Sequence, residues 1–167
     1  MTGDPGSCSQ LGGAFRSHAA RLLGLRSELA ERTERLRREP EAAAMVADLD
    51  ANVRLLDAVV DRLDAGGSAL QRFAQELAEI AEAVRRLDGV AQAAGLRLEG
   101  LRVVEPWGVL TTELARQRHR AQPDLQRQAD RLASQLGRAR TVTSRAMVEG
   151  TRDLAAAATV SRTRSLR

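Results

Sequence analysis

A chain of 167 residues supports one domain, or one domain with a mobile end. Its apolar fraction is 43% but its aromatic fraction is only 2%, so its core must be built from Leu, Val and Ala, side chains that suit close helix packing. There is no lysine among its 26 strongly basic residues, which excludes Schiff-base and general-base lysine chemistry, and a single cysteine excludes an internal disulfide.

The net charge of +4 is distributed unevenly along the chain. Residues 1–100 contain 13 arginines and 16 acidic residues, whereas residues 101–167 contain 13 and 6, so the two parts carry net charges of −3 and +7. A basic C-terminal part can attract nucleic acid, anionic lipid or an acidic protein. The same pattern is typical of a solvated helix face followed by a basic tail, so both interpretations stay open.

The N-terminal segment, residues 1–8, is rich in Gly, Ser and Pro and is predicted to be disordered. No apolar segment has the length of a signal peptide or of a membrane span. We therefore expect a cytoplasmic protein, whose export would need a route other than the general secretory pathway. No apolar stretch precedes Cys8, which we expect to be an exposed thiol rather than a lipid anchor.

The first predicted helix, helix 1, spans residues 9–38. Apolar residues recur along it at intervals of three and four, the spacing of a seam that packs against another helix. Arginines in its last turn complement the helix dipole, and Glu39-Pro40 ends it because the residue before a proline avoids the helical conformation. The seam consists of Phe15, His18, Leu22, Leu25, Leu29, Arg32 and Leu36, with Leu11 one turn earlier.

The next segment is predicted to be a helical hairpin over residues 40–94. Helix 2 covers residues 40–65 and ends at Gly66-Gly67. Helix 3 covers residues 68–94 and begins with a capping-box spacing, and Gly95 is its left-handed cap. Their apolar stripes match in length, so we expect antiparallel packing. The stripes are Val46, Leu49, Val53, Leu56, Val60 and Leu63, and then Leu70, Phe73, Leu77, Ile80, Val84, Leu87, Ala91 and Ala94.

Residues 96–104 are predicted to form a small β-like clip. Leucine and valine alternate with charged residues on both sides of Gly100, which is the pattern of a short hairpin. An isolated two-stranded ribbon is only marginally stable, so the clip should lie against the helices. Trp107, in the turn that follows, is predicted to anchor this turn and to close the end of the bundle.

Helix 4 is predicted over residues 109–160, broken near residue 123 by a proline, and residues 161–167 are predicted to be a loose basic tail. Six arginines recur at intervals of four and seven, so on a continuous helix they would share one side. This arginine row is the candidate contact for a polyanion. No aromatic residue lies between the arginines to stack on bases, so we expect salt-sensitive contact with phosphate. The row consists of Arg116, Arg120, Arg127, Arg131, Arg138 and Arg145.

The sequence contains no recognisable catalytic or metal-ligating pattern. His18 and His119 have no Cys, His or acidic neighbours at the spacing of metal ligands. The pairs Gly12-Gly13 and Gly66-Gly67 lack the lysine and the strand of a phosphate-binding loop. The carboxylate pairs have the spacing of a solvated helix surface. We therefore expect no enzymatic activity, no metal, no cofactor and no small-molecule substrate.

The predicted hairpin and the segment after it share features with a known family. The hairpin turn has small residues at Ala65-Gly66-Gly67, and residues 93–106 read AAGLRLEGLRVVEP. These features resemble the WXG-type helical-hairpin proteins of actinobacteria, associated with type VII secretion, in which an "AAGL…V…P" segment often follows the hairpin. The chain lacks both the Trp-X-Gly motif and, having no tyrosine, the Tyr-x-x-x-Asp/Glu export motif. The resemblance implies pairing with a helical partner, as a type VII adaptor, chaperone or substrate.

Together the patterns predict an all-α fold, an antiparallel bundle of about four long helices that forms one domain over residues 9–160. We expect a non-catalytic interaction protein that forms a homo-oligomer or binds a helical protein. The alternative is a protein that binds nucleic acid or an anionic membrane through the arginine row. The residues expected to form either the core seam or the partner interface are Leu22, Leu25, Leu29, Leu56, Val60, Leu77, Ile80 and Val84.

Overall fold

The computed structural model describes residues 4–108 and 111–165. Within these ranges the elements are, in chain order, α1 (Pro5–Leu36), a short 3-10 helix (Pro40–Ala42), α2 (Ala43–Ala93), β1 (Arg97–Glu99), β2 (Arg102–Val104) and α3 (Thr112–Ser165). The three long helices and the one pair of strands in these ranges confirm the all-α class with a small β clip at residues 96–104.

Helix α1 begins earlier than predicted, at Pro5. A proline is well placed as the first residue of a helix, because its missing N–H would have no partner there. The predicted disorder over residues 1–8 is therefore wrong from Pro5 onward, and residues 1–3 lie outside the described residues. Cys8 lies within this helix and is half-buried rather than exposed. The helix ends at Leu36, before an extended Glu39 (φ −101°, ψ 114°), as expected of a residue that precedes proline.

The predicted hairpin over residues 40–94 is wrong, because α2 continues without interruption through Gly66 and Gly67. Both glycines are buried. A Cβ atom added at Gly67 would lie 2.7 Å from the carbonyl oxygen of Gly12 in α1, and one added at Gly12 would lie 2.8 Å from that of Gly67. Only glycine permits so close an approach of two backbones. The glycine pair is therefore a contact between helices and not a turn, and predicted helices 2 and 3 are one helix.

The predicted break near residue 123 is also wrong, since Pro123 lies inside α3. A proline within a helix removes one main-chain hydrogen bond, here to the carbonyl of His119. Both residues are exposed, so water can bind the carbonyl that is left. Residues 161–165 continue α3 where a loose tail is predicted. The described residues include neither the first two residues of predicted helix 4, Val109 and Leu110, nor the last two of the predicted tail, Leu166 and Arg167.

The chain divides into two compact units. Unit 1 consists of residues 1–6 and 73–142, and unit 2 of residues 7–72 and 143–167, so α2 and α3 each contribute a segment to both. In unit 1 the C-terminal part of α2 and the N-terminal part of α3 are joined in sequence by the clip. One buried hydrophobic cluster of unit 1 consists of Leu87, Ala91, Leu96, Val103, Leu125 and Ala129.

A Schellman cap leads from α2 into the clip and confirms Gly95 as the left-handed cap. Gly95 has a φ of 73°. Its amide donates to the carbonyl of Gln92 (2.9 Å), and the amide of Leu96 donates to that of Ala91 (2.8 Å). These bonds satisfy the last carbonyls of the helix. Leu96 then turns into the core of unit 1, where it is 1% exposed.

The clip is an antiparallel pair of strands in which Leu98 lies opposite Val103. Gly100, with a φ of 64°, permits the tight turn between the strands. Gln126 of α3 holds the clip in place, because its side-chain oxygen accepts from the amide of Val103 (2.8 Å) and its nitrogen donates to the carbonyl of Leu101 (3.4 Å). No local sequence pattern marks Gln126 for this role, since a glutamine on an amphipathic helix is usually solvated.

In unit 2, α1 and the N-terminal part of α2 run antiparallel, and three ion pairs connect α2 to α1 or to Arg37, the residue just after α1. The aspartates of these pairs are seven residues apart, so they lie on one side of α2. Partly exposed pairs of this kind contribute little stability, and their order along the chain matches the antiparallel register of the two segments. The pKa of Arg37 is raised, chiefly because its guanidinium donates a hydrogen bond to Asp50. The pairs are Arg16 with Asp64 (3.2 Å), Arg26 with Asp57 (2.8 Å) and Arg37 with Asp50 (2.7 Å).

Candidate protein-interaction site

Unit 2 buries small side chains and leaves most of its large ones partly exposed. Among its described Leu, Val, Met and Phe side chains, Leu70 alone is buried. Its buried residues otherwise include Gly12, Ala19, Thr33, Ala51 and Ala69. Its exposed large apolar side chains are Leu11, Leu23, Leu25, Met45, Val148 and Val160. Unit 1, by contrast, buries Leu77, Ile80, Leu87, Leu96, Leu125 and Leu136.

The structure separates the predicted seam residues into three groups. Leu77 and Ile80 are buried, which assigns them to the internal core of unit 1. Leu25 is 55% exposed, which excludes it from the core. A half-buried apolar side chain contacts its own chain and still has surface to offer a partner. The half-buried members are Leu22, Leu29, Leu56, Val60 and Val84.

The seam predicted for α1, extended by Leu11, consists of two rows. Only one of them is partly buried by the rest of the protein. In each row the residues are seven apart, so they lie on one side of the helix with a drift of about 20° per heptad. The covered row, which is half-buried, consists of Phe15, Leu22, Leu29 and Leu36. The other row, which we call the α1 outer row, is exposed and consists of Leu11, His18, Leu25 and Arg32.

On the opposite flank of the covered row lies a third row, which was not predicted from the spacing of large apolar residues. Gly12, Ala19 and Thr33 are buried there, and Arg26 between them is half-buried. Small side chains let α1 approach α2 closely, and the Thr33 hydroxyl donates to the carbonyl of Leu29 (2.8 Å), so it is satisfied. The signal in the sequence is the recurrence of small residues at intervals of seven, which a search for large apolar residues overlooks.

A groove of about 450 Å³ lies between α1 and α2 within unit 2. Its rim carries the ion pair between Arg16 and Asp64 (3.2 Å), so the rim charges cancel. The apolar residues that line it are Ala19, Ala20, Leu23 and Val60. The groove adds to the apolar surface that unit 2 leaves uncovered.

The arginine row of α3 faces solvent. Five of its members belong to unit 1 and are exposed, and they lie on the side of the helix opposite to buried Leu125, Ala129 and Leu136. Arg145, also exposed, belongs to unit 2. Because α3 continues through Pro123, the proline does not divide the row. The five members in unit 1 are Arg116, Arg120, Arg127, Arg131 and Arg138.

Acidic residues one turn away offset part of this charge. Arg116 pairs with Glu113 (3.9 Å) and Arg127 pairs with Asp124. On α2 the pKa of Glu82 is lowered, chiefly by a hydrogen bond from Arg85 and then by the charge of that arginine. Among the described residues, Arg120, Arg131 and Arg138 have no ion-pair partner, so they carry the uncompensated charge of the row in unit 1.

Arg118 is buried (8% exposed), in contrast to the exposed arginines around it. Its Nη1 donates to the carbonyl of Pro106 (3.4 Å), and its Nε has no hydrogen-bond partner in the part of the chain that the structure describes. A Cβ atom added at Gly95 would lie 3.0 Å from that Nε. The guanidinium therefore lies at the C-terminal end of α2, where the negative end of the helix dipole stabilises a cation.

The prediction that Trp107 anchors its turn is wrong, because its side chain is fully exposed. Leu96 and Val103 are buried where the clip meets the core of unit 1, so the clip closes this end without the indole. A fully exposed tryptophan is unusual on a protein surface, since tryptophan is buried on average.

The histidines and acidic residues form no metal-binding group within the described residues. His18 and His119 are exposed, and residues 4–108 and 111–165 contain no group of three or more His, Cys, Asp or Glu side chains that could hold a metal ion. No described helix combines the length and apolar character needed to cross a bilayer. Comparison with models of protein families, with curated proteins and with solved structures finds no match to this chain.

Proposed function

We propose that this chain is a non-catalytic helical interaction protein, which associates with itself or with a helical partner in a multi-subunit assembly. The observation that supports the proposal is the burial pattern of unit 2, in which Leu70 alone among the described large apolar side chains is buried. A partner helix would cover several of the large apolar side chains that unit 2 leaves partly exposed. Removal of apolar surface from water is the main driving force of protein association.

The free energy available from this surface is large. Complete burial of a leucine or valine side chain contributes about 1.5–3 kcal/mol relative to full exposure. Six such large apolar side chains of unit 2 are exposed, and more are half-buried. Burial of several of them would offset much of the cost of association, which is about 4–15 kcal/mol.

Sedimentation of the full chain at micromolar concentrations, combined with its isolation from the organism that makes it, tests this proposal. We expect either an oligomer whose population rises with concentration, or a helical protein that is recovered in stoichiometric amount and binds the purified chain again. A fully stable monomer without such a partner would contradict the proposal.

Within this proposal, the chain would act as a type VII secretion adaptor, chaperone or substrate. The support is the resemblance of residues 93–106, which form the helix cap and the clip, to the segment that follows the hairpin in WXG-like modules. The other feature of that resemblance, the turn at Ala65-Gly66-Gly67, is replaced by continuous helix. Cytoplasmic location and export by a specialised route are therefore proposed only together with this role.

A second candidate function, polyanion binding, is favoured by the solvent-facing arginine row on the uninterrupted helix α3. A charged row without stacking aromatics would contact the phosphates of nucleic acid or of anionic lipid, with little sequence preference. Arg131 and Arg138 are exposed and form no ion pair with any described residue, so their loss should weaken such contact.

Gel shift with duplex DNA and flotation with anionic liposomes, each across a salt series, test polyanion binding. We expect binding that falls steeply with salt, because neutralised phosphates release counterions. The double substitution Arg131→Glu and Arg138→Glu should abolish it. As a matched control, Arg54→Glu and Arg72→Glu change the charge equally at exposed positions of α2. Equal loss in both variants would indicate an effect of net charge and argue against a specific row.

A further inference from the structure

We propose that the α1 outer row is the docking site for a partner helix that carries an apolar row of its own with acidic residues beside it. This inference rests on the proposed function and names the surface and the class of partner. The outer row contains Leu11 (48% exposed) and Leu25 (55% exposed), with exposed His18 between them and Arg32 at its end.

The geometry of the row suits a helix rather than an isolated side chain. Its residues recur at intervals of seven, so they form a nearly straight line along α1. The covered row beside it is only half-buried at Leu22 and Leu29, so a partner helix would contact both rows. Two adjacent rows at this spacing are the arrangement into which the apolar side chains of a second helix pack.

The charges beside the row define the partner. The arginines of α1 that face α2, Arg16 and Arg26, are paired with aspartates. By contrast, Arg21, Arg32 and Arg35 are exposed and form no ion pair with any residue in the described ranges. One acidic residue, the exposed Glu28, lies on the same side of the helix. The surface therefore presents two exposed leucines, Leu11 and Leu25, among unpaired arginines, which is complementary to an apolar line with an acidic margin.

The same margin argues against a second copy of α1 as the occupant. In a parallel pair of outer rows, Arg21, Arg32 and Arg35 of the two copies would lie close together. In an antiparallel pair, Arg32 and Arg35 would lie opposite the N-terminal half of α1, which has no acidic residue before Glu28. Facing like charges destabilise helix pairs and are a common device against wrong partners. We therefore assign the outer row to a different chain with acidic flanking residues.

Titration of the full chain with two synthetic amphipathic peptides tests this assignment. Both peptides carry the same leucine row; glutamates flank it in one, and lysines in the other. Fluorescence anisotropy should show the glutamate peptide binding about tenfold more tightly or better, since several opposite-charge pairs replace like-charge pairs, and the preference should shrink as salt is added.

Three variants locate the binding site. Leu25→Asp should weaken binding of the glutamate peptide about tenfold or more. Val90→Asp, at an apolar position of unit 1 that is equally exposed, should leave it unchanged. The double substitution Arg21→Glu and Arg35→Glu should reverse the preference between the peptides. Circular dichroism should show all three folded, because each of these side chains is exposed.

The inference is overturned if neither peptide binds, if both bind equally, or if Leu25→Asp binds as the wild type does. Its failure is distinguishable from that of the proposed function. A chain that associates in sedimentation or retains a helical partner, yet is indifferent to these substitutions, uses another surface. A chain that neither associates nor binds a peptide contradicts both.

Discussion

Replacement of Leu96 by alanine is expected to lower the free energy of unfolding by about 2–5 kcal/mol, the range observed when a buried leucine is truncated. Leu96 is 1% exposed and belongs to the core of unit 1. It directly follows the cap at Gly95, so the missing atoms would leave a cavity where α2 ends and the clip begins. Urea denaturation followed by far-ultraviolet circular dichroism measures the change.

Leu25→Ala is the matched control, because it removes the same atoms from a side chain that is 55% exposed. Its effect on the free energy of unfolding should stay within about 0.5 kcal/mol, as for most surface substitutions. If both variants lost the same stability, Leu96 would not lie in a packed core. The pair also separates the two roles of leucine in this chain, since Leu25 is expected to matter for binding and Leu96 for folding.

Gly67→Ala is the second substitution with a large expected effect, a loss of about 1–3 kcal/mol from overpacking. The new methyl group would lie 2.7 Å from the backbone oxygen of Gly12 and 3.3 Å from the backbone nitrogen of Arg16. Neither atom belongs to a flexible side chain, so α1 and α2 would have to move apart. This loss exceeds the gain that alanine brings to a helix in place of glycine, about 0.5–1 kcal/mol.

Gly89→Ala, in the same helix, should have the opposite sign. A Cβ atom at Gly89 would meet nothing within 4 Å, so the gain in helix propensity is uncompensated and the free energy of unfolding should rise by about 0.5–1 kcal/mol. Thermal denaturation of the two variants and of the wild type compares them directly. Stabilisation by both substitutions would contradict the contact between Gly12 and Gly67.

The glycine pair shows where reasoning from sequence reaches its limit. Two adjacent glycines weaken a helix and permit a tight turn, and they equally permit close contact between two helices. The choice depends on whether a second backbone lies beside them, and here that backbone is at Gly12, more than fifty residues earlier. The proline in α3 is a similar case, because Pro123 is tolerated where the orphaned carbonyl belongs to an exposed residue.

The candidate interaction site was anticipated in part. The seven-residue spacing identified both the covered and the outer row of α1, but it assigned them to one seam. In the structure, the buried side of α1 is centred on Gly12, Ala19 and Thr33. Small residues allow the closest packing even though they contribute little apolar area. The position of the arginine row on the solvent-exposed side of α3 was predicted more fully. Charge and regular spacing together indicate that side chains lie on the exposed side of a helix.

The amino-acid sequence by itself determined the all-α class, the β clip with its cap at Gly95, and the two apolar rows of α1, because these follow from local periodicity and from the conformations that glycine allows. Only the tertiary structure decided that residues 43–93 form one helix. It also decided that the row from Phe15 to Leu36 is partly buried, whereas Leu11 and Leu25 stay exposed to solvent. Periodicity tells which side of a helix avoids water. Which neighbouring backbone covers that side depends on contacts between residues far apart in the chain, and no local pattern records them.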